Sequence, residues 1–331
     1  MTMKRIVVGI SLVLAVLTLA SFITGQAQKA TAPGQADAGS GAPPLSNPLK
    51  VALLKWYKAN IVPTIFPVGK SPYGMAFDGA NLWVASQEGT VSKLRASDGT
   101  NLGTFHVGAW PLGVAFDGSS IWVTNMLGNT VSKLRASDGK TLGTFPVPNG
   151  PQYLAFDGEA IWIANGTTTT VTKLRARDGK ALGTFPVGRG PVGVACDGPN
   201  IWVANKADFT VTKLRAVDGK MLGTFPVGLS PLGVAFDGAN IWVANNGDGT
   251  VTKLRASDGA NLGTFSAGTP YLLAFDGTNI WVTGLADVVA LRPSDGAVVF
   301  QEQTGDATSG IAFDGANMWA ADFDKNIVYK F

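Results

Sequence analysis

The sequence holds one cysteine and one histidine in 331 residues, and only 15% of its residues are charged. A single thiol, Cys196, allows neither an internal disulfide nor a cysteine metal site. It stands where sister segments carry Phe, so it reads as a small buried hydrophobe. No nucleophile–base pair, phosphate-binding loop or His/carboxylate metal set is present, and no cofactor is expected. The formal net charge of +3 offers no basic surface to a nucleic acid. It falls to +1 once the leader described next, which contains Lys4 and Arg5, is removed.

Gly is abundant, at 42 residues, and Pro reaches 18 against a hydrophobic content of 46%, a mixture that suits short strands and tight turns around a real core. The chain opens with a basic MTMKR, an apolar run over 6–23, and small residues at Gly25 and Ala27. That is the layout of a secretory signal peptide over 1–27, with an uncleaved membrane anchor as the rival reading. A low-complexity linker follows over 28–48, then a short segment of mixed character over 49–60. The chain is therefore expected to be exported to the periplasm or the cell exterior, as a monomer touching a membrane only through this segment.

Residues 61–331 repeat one motif. Its marker Asp recurs at 78, 117, 157, 197, 237, 276 and 314, at spacings of 38–40, and a Trp follows five residues later each time. Each unit reads as four strands. GVAF ends in an Asp-Gly hairpin turn, IWVAN is β-branched and aromatic, TVTKLRA alternates, and LGTFPV follows a second Asp-Gly turn. Four antiparallel strands per 40 residues, with no helix, make a propeller blade. The fold class is thus all-β, a seven-bladed β-propeller. The last copy stops after its third strand, and Phe66-Pro67-Val68-Gly69 matches Phe225-Pro226-Val227-Gly228. The N-terminal strand is therefore expected to pair with the C-terminal blade and seal the ring.

WVTN at 122–125, followed by NTVSKL, resembles the YVTN propeller repeats with Trp in place of Tyr, and the blade plan is similar to NHL-type propellers. PLGVAFDGANIWVAN at 231–245 resembles the repeats of streptogramin (virginiamycin B) lyases, which are seven-bladed. That likeness implies a catalytic His in a loop entering a blade, with carboxylates holding magnesium. The corresponding loops here (SPYG, WPLG, GPQY, GPVG, SPLG, TPYL and ATSG) contain no His, and His106 falls in an outer strand. The lyase chemistry is not carried over.

The copies differ from one another mainly in two loop sets, those between strands two and three and those between blades. Both sets fall at the same end of the blades, opposite the near-constant FDGAN and ASDGK turns. Duplicated units diverge where packing does not hold them, and loops on a rigid scaffold carry function. The ligand-binding candidates on that face are Tyr73, Trp110, Tyr153, Arg189, Phe209, Tyr271 and Asp322. Asn125, Asn165, Asn205 and Asn245 close the second strands and are candidates for a polar ring at the channel mouth, and the weak metal candidates are Asp322 and Asp324. The expected function is non-enzymatic binding of a protein, glycan or small molecule. The alternative is a propeller lyase or hydrolase using carboxylates or a metal at the channel mouth.

Overall fold

The computed structural model describes residues 63–331. The predicted signal peptide, linker and short segment over 49–60 lie outside the described residues. Every element among those described is a β-strand, and the strands form seven four-stranded antiparallel sheets. Blade 1 comprises Pro72–Phe77, Asn81–Ser86, Thr90–Arg95 and Asn101–His106. Blades 2 to 6 span residues 111–146, 151–186, 191–226, 231–266 and 273–303. Blade 7 combines Thr308–Phe313, Met318–Asp322 and Ile327–Lys330 with the first strand of the chain, Thr64–Pro67. Thr64 pairs with Lys330 and Pro67 with Ile327. The first strands of successive blades pack side by side around the axis, the seventh against the first.

The five-residue Asp-to-Trp spacing is explained by one carboxylate doing two jobs. In blade 1, Asp78 Oδ1 accepts the backbone N–H groups of Ala80 and Asn81, which shapes the turn, while Asp78 Oδ2 accepts Trp83 Nε1–H at 2.8 Å. The indole bond recurs in all seven blades at 2.6–2.8 Å. Burial pushes the Asp78 carboxyl upward, but the Trp83 and backbone hydrogen bonds outweigh it and hold the group below its ordinary value.

The core lies between blades. Trp122 and Val131 of blade 2, for example, pack on Leu154, Ile161 and Leu174 of blade 3. The second and third strands are consequently buried on both faces, which is why they read as nearly continuous apolar runs. A Phe from each outer strand stacks on its own blade's Trp, as Phe105 does on Trp83 at 5.5 Å. The far side of that ring lies on Gly139 of the next blade, whose φ is 72°, and a Cβ there would overlap the ring. The Asp-Gly turn thus needs Gly twice over, for backbone conformation and for the neighbour's aromatic ring. Phe66, from the first strand of the chain, covers Gly99 of blade 1 in the same way.

The recurring Lys-Leu-Arg is a structural device. Lys93 Nζ sits 5.1 Å above the Trp83 ring and donates to the carbonyl oxygens of Ala136 and Ser137 in blade 2. Arg95 pairs with Asp98 in its own turn at 3.0 Å. Blade 6 has Ala290 in place of the Lys, and Phe331 approaches Trp281 there instead.

Candidate functional site

Backbone hydrogen bonds stitch the two variable loop sets together on one face. Gln87 N–H donates to Ser71 O, Met126 to Trp110, Gly166 to Gly150, Lys206 to Gly190 and Asn246 to Ser230, at 2.8–3.2 Å. Each pair joins a loop between strands two and three to the loop entering the same blade. Within each of these five blades the two variable loops are therefore tied to one another.

A funnel opens at the centre of this face. Tyr73, Trp110, Tyr153 and Tyr271, from blades 1, 2, 3 and 6, line it with Gln152 and Lys206, enclosing about 320 Å³. Below it the channel narrows to about 120 Å³ between Met75, Val114, Leu154, Val194, Val234, Leu273 and Ile311, one aliphatic side chain from each inner strand. Beside it a second chamber of about 270 Å³ shares Tyr73 and Tyr271 and adds Phe323 and Asp324. Burial raises the Tyr73 hydroxyl above its ordinary value, with Tyr271 adding to the effect, and Tyr153 is raised by burial and by Tyr73. Tyr73, Tyr153 and Tyr271 line the same mouth. Among the described residues none of their hydroxyls has a hydrogen-bond partner, so they are available to a ligand.

Two of the predicted aromatics occupy backbone positions that suit them poorly. Trp110 has φ of 57° and Phe209 also 57°, in the left-handed region that L-residues with bulky side chains avoid. At the position of Trp110 four other loops share the left-handed conformation, with Ser71, Gly150, Gly190 and Ser230, and at that of Phe209 four share it, with Gly89, Asn129, Gly249 and Asn326, while Thr169 of blade 3 does not. Both side chains are exposed, at 38% and 43%. Strained residues of this kind gather at functional sites.

The remaining candidates divide. Phe209 lies on the same face but outside the funnel, and Arg189 is engaged with Asp208 through Nε–Oδ1 at 2.6 Å. The asparagines do not ring the channel mouth. Asn125, Asn165, Asn205 and Asn245 are completely buried inside their blades. Asn125 Oδ1 accepts Gly108 N–H, and its Nδ2 donates to the Thr130 and Ser132 hydroxyls, bonds that fix the loops. Asp322 takes the equivalent place in blade 7 and is likewise buried, bound by Lys325 Nζ and the Tyr329 hydroxyl at 3.1 Å each. It is not open to a ligand, and it does not converge with Asp324, which lines the side chamber. His106 ends the outer strand of blade 1, away from the funnel.

Gln152 and Leu112 line the funnel without having been expected, although both stand in the variable GPQY and WPLG loops. Also unexpected is a groove of about 730 Å³ on the uniform face between blades 2 and 3, lined by Lys133, Glu159, Lys173, Arg175 and Arg177. It is larger than the funnel, but three of its four cations are committed and Arg177 is largely exposed. Lys133 and Lys173 donate to the carbonyls of Ala176 and Ala216, and Arg175 clasps Asp178 through two bonds. The groove is the gap between latched blades, and the funnel is the better candidate.

The architecture is that of a seven-bladed β-propeller with an aromatic funnel at one mouth. Among solved structures it is similar to a streptogramin B lyase, with a TM-score of 0.70 and 19% sequence identity over 81% of this chain and 96% of that one. The likeness is one of fold. No family model and no curated protein sequence matches the chain.

Proposed function

We propose that this chain is an exported, non-enzymatic binding propeller that takes a protein, glycan or small-molecule ligand on its variable face. The observation that carries the reading is the funnel itself. Four aromatic side chains from four blades meet around free phenol hydroxyls, and one of them, Trp110, is held there against its backbone preference. Flat apolar faces beside hydroxyl groups suit sugar rings and aromatic or aliphatic side chains. Residues 1–27 supply the export signal, and the mature chain is expected to begin at Gln28 when its mass is measured from the exported fraction.

The test is a screen of glycan, peptide and small-molecule arrays with the wild-type propeller, repeated with Trp110→Ala and Tyr73→Ala. A saturable ligand lost in both variants, with their thermal melting otherwise preserved, is the expected result. Hits that survive both substitutions place binding elsewhere and reject the funnel. The fold likeness to a lyase supports a second reading, catalysis at the same mouth, and the same hits decide it: a mass change in the ligand on prolonged incubation favours an enzyme.

A further inference from the structure

The side chamber has a chemistry of its own. Tyr73, Tyr271 and Phe323 supply three of its walls, and Asp324 supplies a carboxylate. Tyr73 and Phe323 meet edge to face, with ring centroids 5.4 Å apart and planes at 80°, so they form a right-angled corner. Tyr271 lines the same space without touching either ring, which leaves the chamber of about 270 Å³ between them. The other polar groups around it are already used. Ser309 Oγ donates to Pro72 O, and Thr308 Oγ1 donates to Gly284 O.

Asp324 differs from its neighbours in having no ion-pair partner among the described residues. Asp306 and Asp322 share Lys325, at 2.8 and 3.1 Å, so the loop around Phe323 carries three carboxylates against one ammonium. Lys70, three residues before Tyr73, and Lys206, which lines the main funnel, do not line this chamber. Aromatic faces present negative quadrupole, and a box of such faces beside a carboxylate attracts a weakly hydrated cation more than a neutral molecule of the same shape. A compact ammonium or a metal ion must give up tightly held water to reach the rings of an open chamber, and that cost offsets much of the attraction. A quaternary ammonium need not.

We infer that the chamber formed by Tyr73, Tyr271, Phe323 and Asp324 is an aromatic cage for an organic cation of the quaternary ammonium class. The inference deepens the binding-face reading and rests on it. It assigns Asp324 to charge recognition and Phe323 to the cage wall.

The probes are choline, tetramethylammonium and 3,3-dimethyl-1-butanol, the last being a neutral isostere of choline, titrated calorimetrically against the wild-type propeller and two variants. Choline and tetramethylammonium are expected to saturate one site, and the neutral isostere to bind about tenfold more weakly or not at all. Asp324→Asn, an exposed and isosteric change, is expected to weaken choline about tenfold while leaving the isostere unaffected. Phe323→Leu is expected to weaken both cations, with circular dichroism and thermal midpoint confirming the fold. Equal binding of choline and its isostere overturns the cation assignment. No saturation by either cation at about 50 mM, well above the millimolar range expected of a small cage, overturns it as well. In both cases a screened ligand still lost in Trp110→Ala leaves the binding face standing, so the two readings fail separately.

Discussion

Lys330 Nζ donates a 2.7 Å hydrogen bond to the carbonyl oxygen of Ala96, joining the last blade of the propeller to the first across 234 residues of sequence. Lys330 also lies 5.0 Å above the Trp319 ring. The same latch links blade 1 to 2, 2 to 3, 3 to 4, 4 to 5 and 5 to 6, and only the junction of blades 6 and 7 lacks it. Lys330→Met keeps the apolar stem over the indole and removes the charged donor. Loss of a charge-assisted bond to a buried carbonyl, and of the cation–π attraction with it, predicts a stability decrease of about 2–3 kcal/mol. Urea unfolding of Lys330→Met beside Lys173→Met, an interior latch, checks this. Both midpoints should fall, and an unchanged midpoint for Lys330→Met would mean that the first strand alone holds the ring shut.

The second prediction concerns a polar defect in blade 1. Ser86 stands where four other blades have the buried Asn, and the hydroxyls of Ser86 and Ser92 are buried with no hydrogen-bond partner. In blade 2 the matching Ser132 hydroxyl accepts from Asn125 Nδ2 at 2.9 Å. Ser86→Asn restores an amide that can donate to Ser92 and Thr90 and accept from Gly69 N–H. Satisfying buried polar groups predicts a gain of about 1 kcal/mol. Conversely, Ser92→Ala should cost nothing in the wild-type chain, whereas Ser132→Ala should cost about 1 kcal/mol. Denaturation midpoints of the three variants decide, and equal losses at 92 and 132 contradict the account.

Much of this was legible in the sequence because the repeat makes local chemistry audible seven times. The Asp-to-Trp spacing, the Asp-Gly turns and the match of Phe66-Pro67-Val68 to the missing outer strand are short-range signals, and each corresponds to a contact fixed by strand geometry. The latch was legible only in part. Alternation puts Lys253 on one side of its strand, but nothing local reveals that its acceptor, Pro293 O, lies in the next blade. The asparagines left two readings open, a polar ring at the mouth or a bond to the following turn, and burial with the facing Thr and Ser hydroxyls excludes the first. Asp322 misled because its partners, Lys325 and Tyr329, become neighbours only when the following hairpin folds back. Variation between copies singled out Tyr73, Trp110, Tyr153 and Tyr271, and all four line one opening. Which of them meet depends on the ring, and the sharing of a chamber by Tyr73, Tyr271 and Phe323 is a property of blade count and closure.

The left-handed aromatics give the third prediction, and it separates strain from packing. At an ordinary exposed position Gly is less stable than Ala by about 0.5–1 kcal/mol, because it loses more freedom on folding. At positions 110 and 209, with φ near 57°, an Ala keeps the steric conflict of its Cβ with the backbone while a Gly has none. The order should therefore invert, with Trp110→Gly more stable than Trp110→Ala by about 1 kcal/mol and Phe209→Gly likewise more stable than Phe209→Ala. Both substitutions remove the ring, so the packing it supplied cancels between Gly and Ala, as it does not against wild type. Thermal midpoints of the four variants provide the measurement, and an Ala as stable as Gly at either site removes that residue from the argument. Trp110→Gly should also lose any funnel ligand as completely as Trp110→Ala does. A variant that relieves backbone strain and abolishes binding together identifies the Trp as held in place for its ligand, whereas one that relieves strain and still binds shows the indole to be incidental.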